Sequence, residues 1–169
     1  MAVVKMMESY YMGPNGVAAL IKYIVNPEKT YGLFGGYGIG SDNPDMIVYQ
    51  MQQIKSWNHK EEVYKHRQMR HFIVSFEEGS GITPDMAYRI GFEVSKFYGD
   101  RYQVCYGVHQ NEPNLHIHFG VNTVNYRTGR MYREELNELE HLKAYVDTVV
   151  DYEMGIRRIR YGIEFMDLM

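Results

Sequence analysis

The segment YQVCYGVHQNEPNLHIHFGVN, residues 102–122, contains two runs of alternating residues joined by a short polar connection. Side chains of a β-strand point alternately to its two faces. The second run, 115–122, therefore places Leu, Ile, Phe and Val on one face and His, His, Gly and Asn on the other. The first run, 102–109, divides in the same way, so the segment predicts an antiparallel hairpin with one apolar face.

Three histidines meet on the polar face of this predicted hairpin. If residues 110–115 form the connection, His109 lies directly opposite His116 and diagonally from His118. Gly107 and Gly120 face the same side, and we expect them to leave room for a bulky ligand. Three neutral imidazoles with an open coordination side are typical of a catalytic divalent-metal site. Plain solvent-facing histidines are the alternative, which explains one such residue better than three.

Turn and capping residues divide the rest of the chain into further elements. The predicted elements are a helix over 17–24 that ends before Pro27, a mobile glycine-rich loop over 31–40, a polar helix over 45–70, a strand over 71–76, a helix from Pro84 to Gly99, a helix from about 133 and a last strand over 156–165. Together they predict a single domain over residues 1–169. Its fold class is α+β, a two-layer sandwich of a central antiparallel sheet with helices mainly on one face.

Length and composition exclude several classes of protein. The 169 residues have the length of one domain, and 45% hydrophobic with 23% charged residues is typical of a soluble globular protein. Because no apolar run is long enough to span a bilayer and no signal peptide is present, we expect a cytoplasmic protein without a membrane segment. The single cysteine, Cys105, excludes an internal disulfide and a cysteine-ligated zinc. With a net charge of −3, nucleic-acid binding would depend on local basic patches.

The chemistry at a histidine-held metal depends on the nucleophile beside it. Such a metal polarises a phosphoryl oxygen or activates bound water. A hydrolase would use that water, with Glu112 as the nearby carboxylate. A phenol would instead form a covalent phosphotyrosyl intermediate, although spacing alone does not select one of the 16 tyrosines. A non-catalytic DNA-binding module with a structural metal is the third alternative.

Three blocks follow one another along the chain: residues 23–30, residues 71–76 followed by Thr83-Pro84, and His116-Ile117-His118 with His109 upstream. Their order resembles that of the motifs of P-type conjugative relaxases, mobilisation nucleases of the HUH endonuclease superfamily. The motif His116-Ile117-His118, with His109 upstream, resembles the histidine pair of that superfamily. Residues 23–30 resemble the segment that carries the relaxase nucleophile, and residues 71–76 followed by Thr83-Pro84 resemble the second relaxase motif. Because the tyrosine precedes the histidines, the resemblance favours a relaxase over an HUH replication initiator or a transposase-type nickase.

The resemblance implies roles for individual residues. Tyr23 would be the catalytic nucleophile, with Tyr10 and Tyr11 as less favoured candidates. One divalent ion, Mn, Mg, Zn or Ni, would bind the three histidines named above. The remaining expected site residues are DNA contacts at Ser75, Asn122, Asn125, Arg127 and Arg130, and a carboxylate at Glu77 or Glu78 that orients a ligand imidazole.

The resemblance also implies a reaction and its partners. The protein would nick one strand of single-stranded DNA at an origin of transfer, become attached to the 5′ phosphate, and later rejoin the strand. Accessory relaxosome proteins and a coupling protein are the further partners expected of such an enzyme in the bacterial cytoplasm.

Overall fold

An antiparallel sheet forms the centre of the protein. The computed structural model describes residues 2–8, 11–40, 42–60 and 67–167, with side chains described up to Gly155. In these residues the strands are β1 (Ala2–Met6), β2 (Phe34–Tyr37), β3 (Met69–Phe76), β4 (Val104–His109) and β5 (His116–Asn122), in the spatial order β1-β3-β5-β4-β2. The helices are α1 (Gly16–Ile24), α2 (Pro27–Thr30), α3 (Pro44–Trp57), α4 (Pro84–Gly99) and α5 (Glu138–Asp167). The predicted α+β class is confirmed.

The central hairpin has the predicted register. His109 pairs with His116, and Gly107 pairs with His118. On the other side of β5, strand β3 places Ile73 opposite His118 and Ser75 opposite His116. Because directly opposite residues share a face of the sheet, part of β3 joins β4 and β5 on the histidine face.

Helices pack on both faces of the sheet, whereas the sequence predicts them mainly on one. On the apolar face, α4 and α5 bury Ile90 and Leu142 against strand residues such as Phe119. On the histidine face, α1 and α3 bury Ile24 and Met51 in a second apolar cluster. The second cluster forms because the apolar stripes of α1 and α3 also require cover from water.

Two glycines on the histidine face accommodate a helix and not the expected bulky ligand. A Cβ added to Gly107 would overlap the backbone carbonyl oxygen of Ile24. A Cβ added to Gly120 would lie 2.8 Å from Ile24 Cδ1. The space beside these glycines is therefore filled by α1, which comes to rest directly against the sheet.

Several predicted elements differ from those in the structure. The glycine-rich segment, predicted as a mobile loop, contains β2. This strand can pair closely with β4 because Gly36 has no Cβ to overlap the Val104 carbonyl oxygen. The polar helix ends at Trp57, where Asn58 Nδ2 donates to the Ile54 carbonyl oxygen, and β3 begins at Met69. Residues 61–66 of that prediction lie outside the described residues.

The termini of the chain differ as well. The last helix begins at Glu138, later than predicted, and the predicted strand over 156–165 lies within this helix. Strand β1 is absent from the sequence prediction, and it covers the edge of β3. By contrast, α4 has its predicted bounds, and Thr83 Oγ1 accepts a hydrogen bond from the Met86 N–H at 3.2 Å. No helix in the described part of the chain combines the length and the apolar character that a membrane span requires.

The contact between α1 and Gly107 predicts a stability cost for the smallest added side chain. We expect Gly107→Ala to lower the free energy of unfolding by about 1–3 kcal/mol, because the backbone of α1 must move away. Urea unfolding measures the change. Gly40→Ala is the matched control, since no atom lies within 4 Å of a Cβ added there. Equal stability of the two variants would contradict the close packing of α1.

Candidate active site

Tyr23 lies on the last turn of α1, beside two of the predicted ligand histidines. Its side chain is 39% exposed. The centroid of its ring is 5.3 Å from that of His109 and 5.2 Å from that of His118. The structure therefore brings together a solvent-accessible phenol and the histidine face, two features that are far apart in the sequence.

The histidine rings are not equivalent. The rings of His109 and His118 are stacked with centroids 4.0 Å apart, whereas the ring of His116 is 6.3 Å from that of His118. His109 Nε2 lies 2.9 Å from the carbonyl oxygen of Ile24. A carbonyl only accepts hydrogen bonds, so this nitrogen carries the proton and Nδ1 keeps its lone pair. The same bond fixes His109 to the residue that follows Tyr23.

A fourth histidine, His71 on β3, belongs to this cluster and was not predicted as a site residue. Its Nε2 lies 3.0 Å from His118 Nδ1, and its Nδ1 lies 3.1 Å from the Tyr11 hydroxyl. The alternation of β3 places His71 on the same face as Ser75. Only the pairing of β3 with β5 shows that this face is the histidine face. Tyr11, one of the less favoured nucleophiles, thus contacts the cluster through His71. Tyr10 lies outside the described residues.

Burial keeps these imidazoles neutral. It lowers the pKa of His71 to about 4, with the neighbouring His109 contributing, and the pKa of His118 to about 2. Burial also lowers the pKa of His109, and the nearby Lys29 ammonium adds to this effect. At neutral pH the three rings therefore retain nitrogen lone pairs, which metal coordination requires.

The donor types suit a divalent metal, although the rings are not arranged around one. Of the predicted ions, imidazoles suit nickel and zinc best. Within the described residues, no three His, Cys, Asp or Glu side chains are grouped so as to hold an ion. His109 and His118 stack face to face, and each has one nitrogen in a hydrogen bond. A metal held by His109, His116 and His118 would require these rings to turn.

A small cavity opens beside the cluster. Its volume is about 210 Å³. The lining side chains come from α1, α2, the central strands and the connection between β4 and β5: Tyr23, Lys29, Ile73, His109, Asn111, Glu112, His116 and His118. The candidate nucleophile and the three predicted ligands therefore border the same space.

Two of the predicted DNA contacts have structural roles in this fold. Asn122 is fully buried, and its Nδ2 donates to the Met51 carbonyl oxygen at 3.0 Å and to Gln103 Oε1 at 2.9 Å. It offers no surface to DNA, so that prediction is corrected. Asn125 Oδ1 accepts from the backbone N–H of Arg127 at 2.8 Å, which fixes a turn.

The other predicted contacts lie at different distances from the cavity. Ser75 is half-buried on the histidine face, opposite His116. Arg127 and Arg130 are exposed beyond the far end of β5. A strand of this length spans roughly 20 Å, so these arginines can only meet DNA that continues well past the cavity.

No described contact supports a ligand-orienting role for Glu77 or Glu78. Both are exposed in the turn after β3, where the Glu78 N–H donates to Asn114 Oδ1 at 2.9 Å. The histidine rings instead find hydrogen-bond partners in Tyr11, in the Ile24 carbonyl and in one another.

Comparison with known proteins places the chain in a family. The family model described as relaxase, MobA/VirD2-like, nuclease domain matches residues 23–151. The chain is 26% identical over 95 residues to Protein rlx of Staphylococcus aureus, an alignment that covers 53% of this chain and 30% of that protein. It is 26% identical over 179 residues to the group II intron-interrupted relaxase LtrB of Lactococcus lactis subsp. cremoris (strain MG1363), which covers 88% of this chain and 31% of that protein. No solved structure matches significantly.

The chain thus contains a relaxase nuclease domain. The matched range begins at Tyr23 and contains the whole histidine cluster. This chain belongs to the relaxase family, as a MobA/VirD2-like nuclease domain, and the family predicted from the motifs is confirmed. The chain spans about 30% of the length of the two curated relatives.

The burial of His71 predicts a specific dependence of stability on pH. The pKa of His71 falls from its ordinary value of 6.5 to about 4 on folding. The unfolded chain therefore takes up a proton that the folded protein does not. The contribution of neutral His71 to the free energy of unfolding is therefore fully present above about pH 6.5. It is lost as the pH falls toward 4, by up to about 1.4 kcal/mol per pH unit.

Urea unfolding between pH 7 and 4.5 measures this effect. We expect a shallower loss of stability in His71→Gln than in the wild type. His141→Gln provides the matched baseline, because His141 is exposed on α5. Parallel curves for the wild type and His71→Gln would contradict the neutral, buried state of His71.

Proposed function

We propose that this domain nicks one strand of DNA at an origin of transfer and becomes covalently attached to it through Tyr23. The observation that carries the proposal is the exposed Tyr23 phenol beside the His109–His118 pair, at the edge of one shared cavity. Membership of the relaxase nuclease family supports the same reaction.

The proposed chemical step is a transesterification. The Tyr23 hydroxyl oxygen forms a bond to phosphorus while the bond from phosphorus to the 3′ oxygen breaks. The phenol proton is balanced by the proton on the released 3′-hydroxyl, and the 5′ phosphate remains on the tyrosine. Because one phosphoester replaces another, the reverse reaction rejoins the strand without a nucleoside triphosphate.

The chain's own groups favour this step by positioning. Packing against Gly107 and the bond from His109 to the Ile24 carbonyl hold the end of α1, so the phenol is presented to the cavity with little freedom to move. A divalent ion bound by His109, His116 and His118 would neutralise charge on a non-bridging phosphate oxygen. Mn, Mg, Zn and Ni are the candidate ions.

Single-stranded DNA would leave the cavity past α1 and α3, which cover the rest of the histidine face. Arg127 and Arg130 would contact its backbone beyond β5, and Ser75 would contact it closer to His116. Accessory relaxosome proteins and a coupling protein would act together with this domain.

Covalent capture tests the nucleophile without knowledge of the origin sequence. The protein is incubated with a randomised pool of single-stranded oligonucleotides and each divalent metal in turn. Protein is recovered under denaturing conditions, and the attached DNA is sequenced. We expect an adduct whose 5′ end defines the cleavage site. Tyr23→Phe is expected to abolish the adduct, while Tyr49→Phe, at an exposed tyrosine of α3, is the control that preserves it.

Other outcomes would support the competing functions. Cleaved DNA without any adduct would indicate a hydrolase that uses activated water. Tight binding with neither cleavage nor adduct would indicate a DNA-binding module. An adduct that persists in Tyr23→Phe would show that another tyrosine, such as Tyr11, is the nucleophile.

The arginines beyond β5 predict a salt-dependent contribution to DNA affinity. We expect Arg127→Ala and Arg130→Ala each to weaken binding and to reduce the slope of log affinity against log salt by about 0.7, the value for one phosphate contact on a single strand. Fluorescence anisotropy at several salt concentrations measures the slope. Lys143→Ala, exposed on α5, is the control. An unchanged slope in both arginine variants would exclude them as backbone contacts.

A further inference from the structure

The short helix α2 holds Lys29 beside the candidate active site. Asn26 caps this helix by accepting a hydrogen bond from the Glu28 N–H at 2.9 Å, and Pro27 occupies its first turn. The carbonyl oxygen of Lys29 accepts from the Gln110 N–H at 2.7 Å. Since Gln110 follows His109 directly, the backbone of Lys29 is fixed to the end of β4 that carries the histidine.

The Lys29 ammonium lies over the candidate nucleophile. Its Nζ is 4.3 Å from the centroid of the Tyr23 ring, and the side chain lines the same cavity as the three predicted ligand histidines. In the portion of the chain that the structure describes, the ion pairs involve other cations, and no carboxylate lies within ion-pair distance of Lys29. The half-buried Lys29 side chain thus faces the cavity with no described carboxylate within 4 Å of its ammonium.

Among the described residues that line the cavity, Lys29 is the permanent cation. The carboxylate on the cavity wall, Glu112, belongs to the exposed connection between β4 and β5. An anionic ligand in this cavity would therefore find its charge-assisted hydrogen bond at Lys29.

We propose that Lys29 is a catalytic residue whose ammonium binds a non-bridging oxygen of the scissile phosphate beside the Tyr23 ring. The proposal rests on the proposed function. Charge on the non-bridging oxygens increases as the phenol oxygen adds to phosphorus, and a cation already in place stabilises that charge. The competing interpretation is that Lys29 only packs on the Tyr23 ring, as a cation–π contact, without touching substrate.

The affinities of two probes, one charged and one neutral, compared across Lys29 variants, distinguish the two interpretations without requiring cleavage. The probes are the dinucleotide TpT and its methylphosphonate analogue, which lacks the negative charge. Affinity is read from the NMR shifts of the histidine rings with EDTA present, so that no divalent ion contributes to the preference for the charged probe. We expect the wild type to bind TpT about tenfold more tightly than the analogue. Lys29→Met should remove this preference, and Lys29→Arg should retain most of it.

Lys22→Met is the matched control. Lys22 is an exposed lysine on the same helix as Tyr23, with its Nζ 3.8 Å from Asp45 Oδ1. It should keep the full preference for TpT. A preference for TpT that survives in Lys29→Met would overturn the proposal, and so would a wild-type protein that binds both probes equally or not at all.

The adduct assay adds a kinetic measurement. With an oligonucleotide chosen by covalent capture, Lys29→Met should slow single-turnover adduct formation by about a hundredfold, and Lys29→Arg should restore much of the rate. An unchanged rate in Lys29→Met would contradict the proposal while leaving the proposed function intact. A charge preference that depends on Lys29, in a protein that never forms an adduct, would support the phosphate site and contradict the nicking function.

Discussion

The close approach of Ile24 to the sheet determines how the site is built. The Ile24 carbonyl oxygen accepts a hydrogen bond from His109 and lies against Gly107, where any side chain would push it away. Tyr23 is the preceding residue, so its phenol is carried to the histidines by the same contact. The relative position of the nucleophile and the imidazoles thus depends on one backbone oxygen, which contacts both Gly107 and His109 of β4.

The features that could be predicted from sequence are those set by local rules. Alternation of side chains and a short polar connection fix the register of a hairpin, and therefore the pairing of His109 with His116. The cap at Thr83 likewise defines the start of α4 from three adjacent residues. Assignment of Tyr23 required the resemblance to relaxases, because no periodicity links that residue to a hairpin far along the chain.

The features that escaped prediction depend on tertiary packing. His71 enters the site only through the pairing of β3 with β5, and the glycines beside the histidines serve the fit of α1. Asn122 follows the polar alternation of β5, yet α3 covers it and turns a potential surface residue into a buried hydrogen-bond donor. In each case a residue's role depends on which element covers it, which a strand pattern does not specify.

Assembly by packing also means that the covalent order of the parts is of little consequence. Helix α1 packs on the central strands of the sheet through its side chains and one carbonyl. None of these strands comes directly before or after α1 in the chain. A circularly permuted chain in which α1 came after the histidine hairpin could form the same constellation, given a connection long enough to return it to the two glycines. The geometry of the site is thus compatible with more than one order of the helices and strands along the chain.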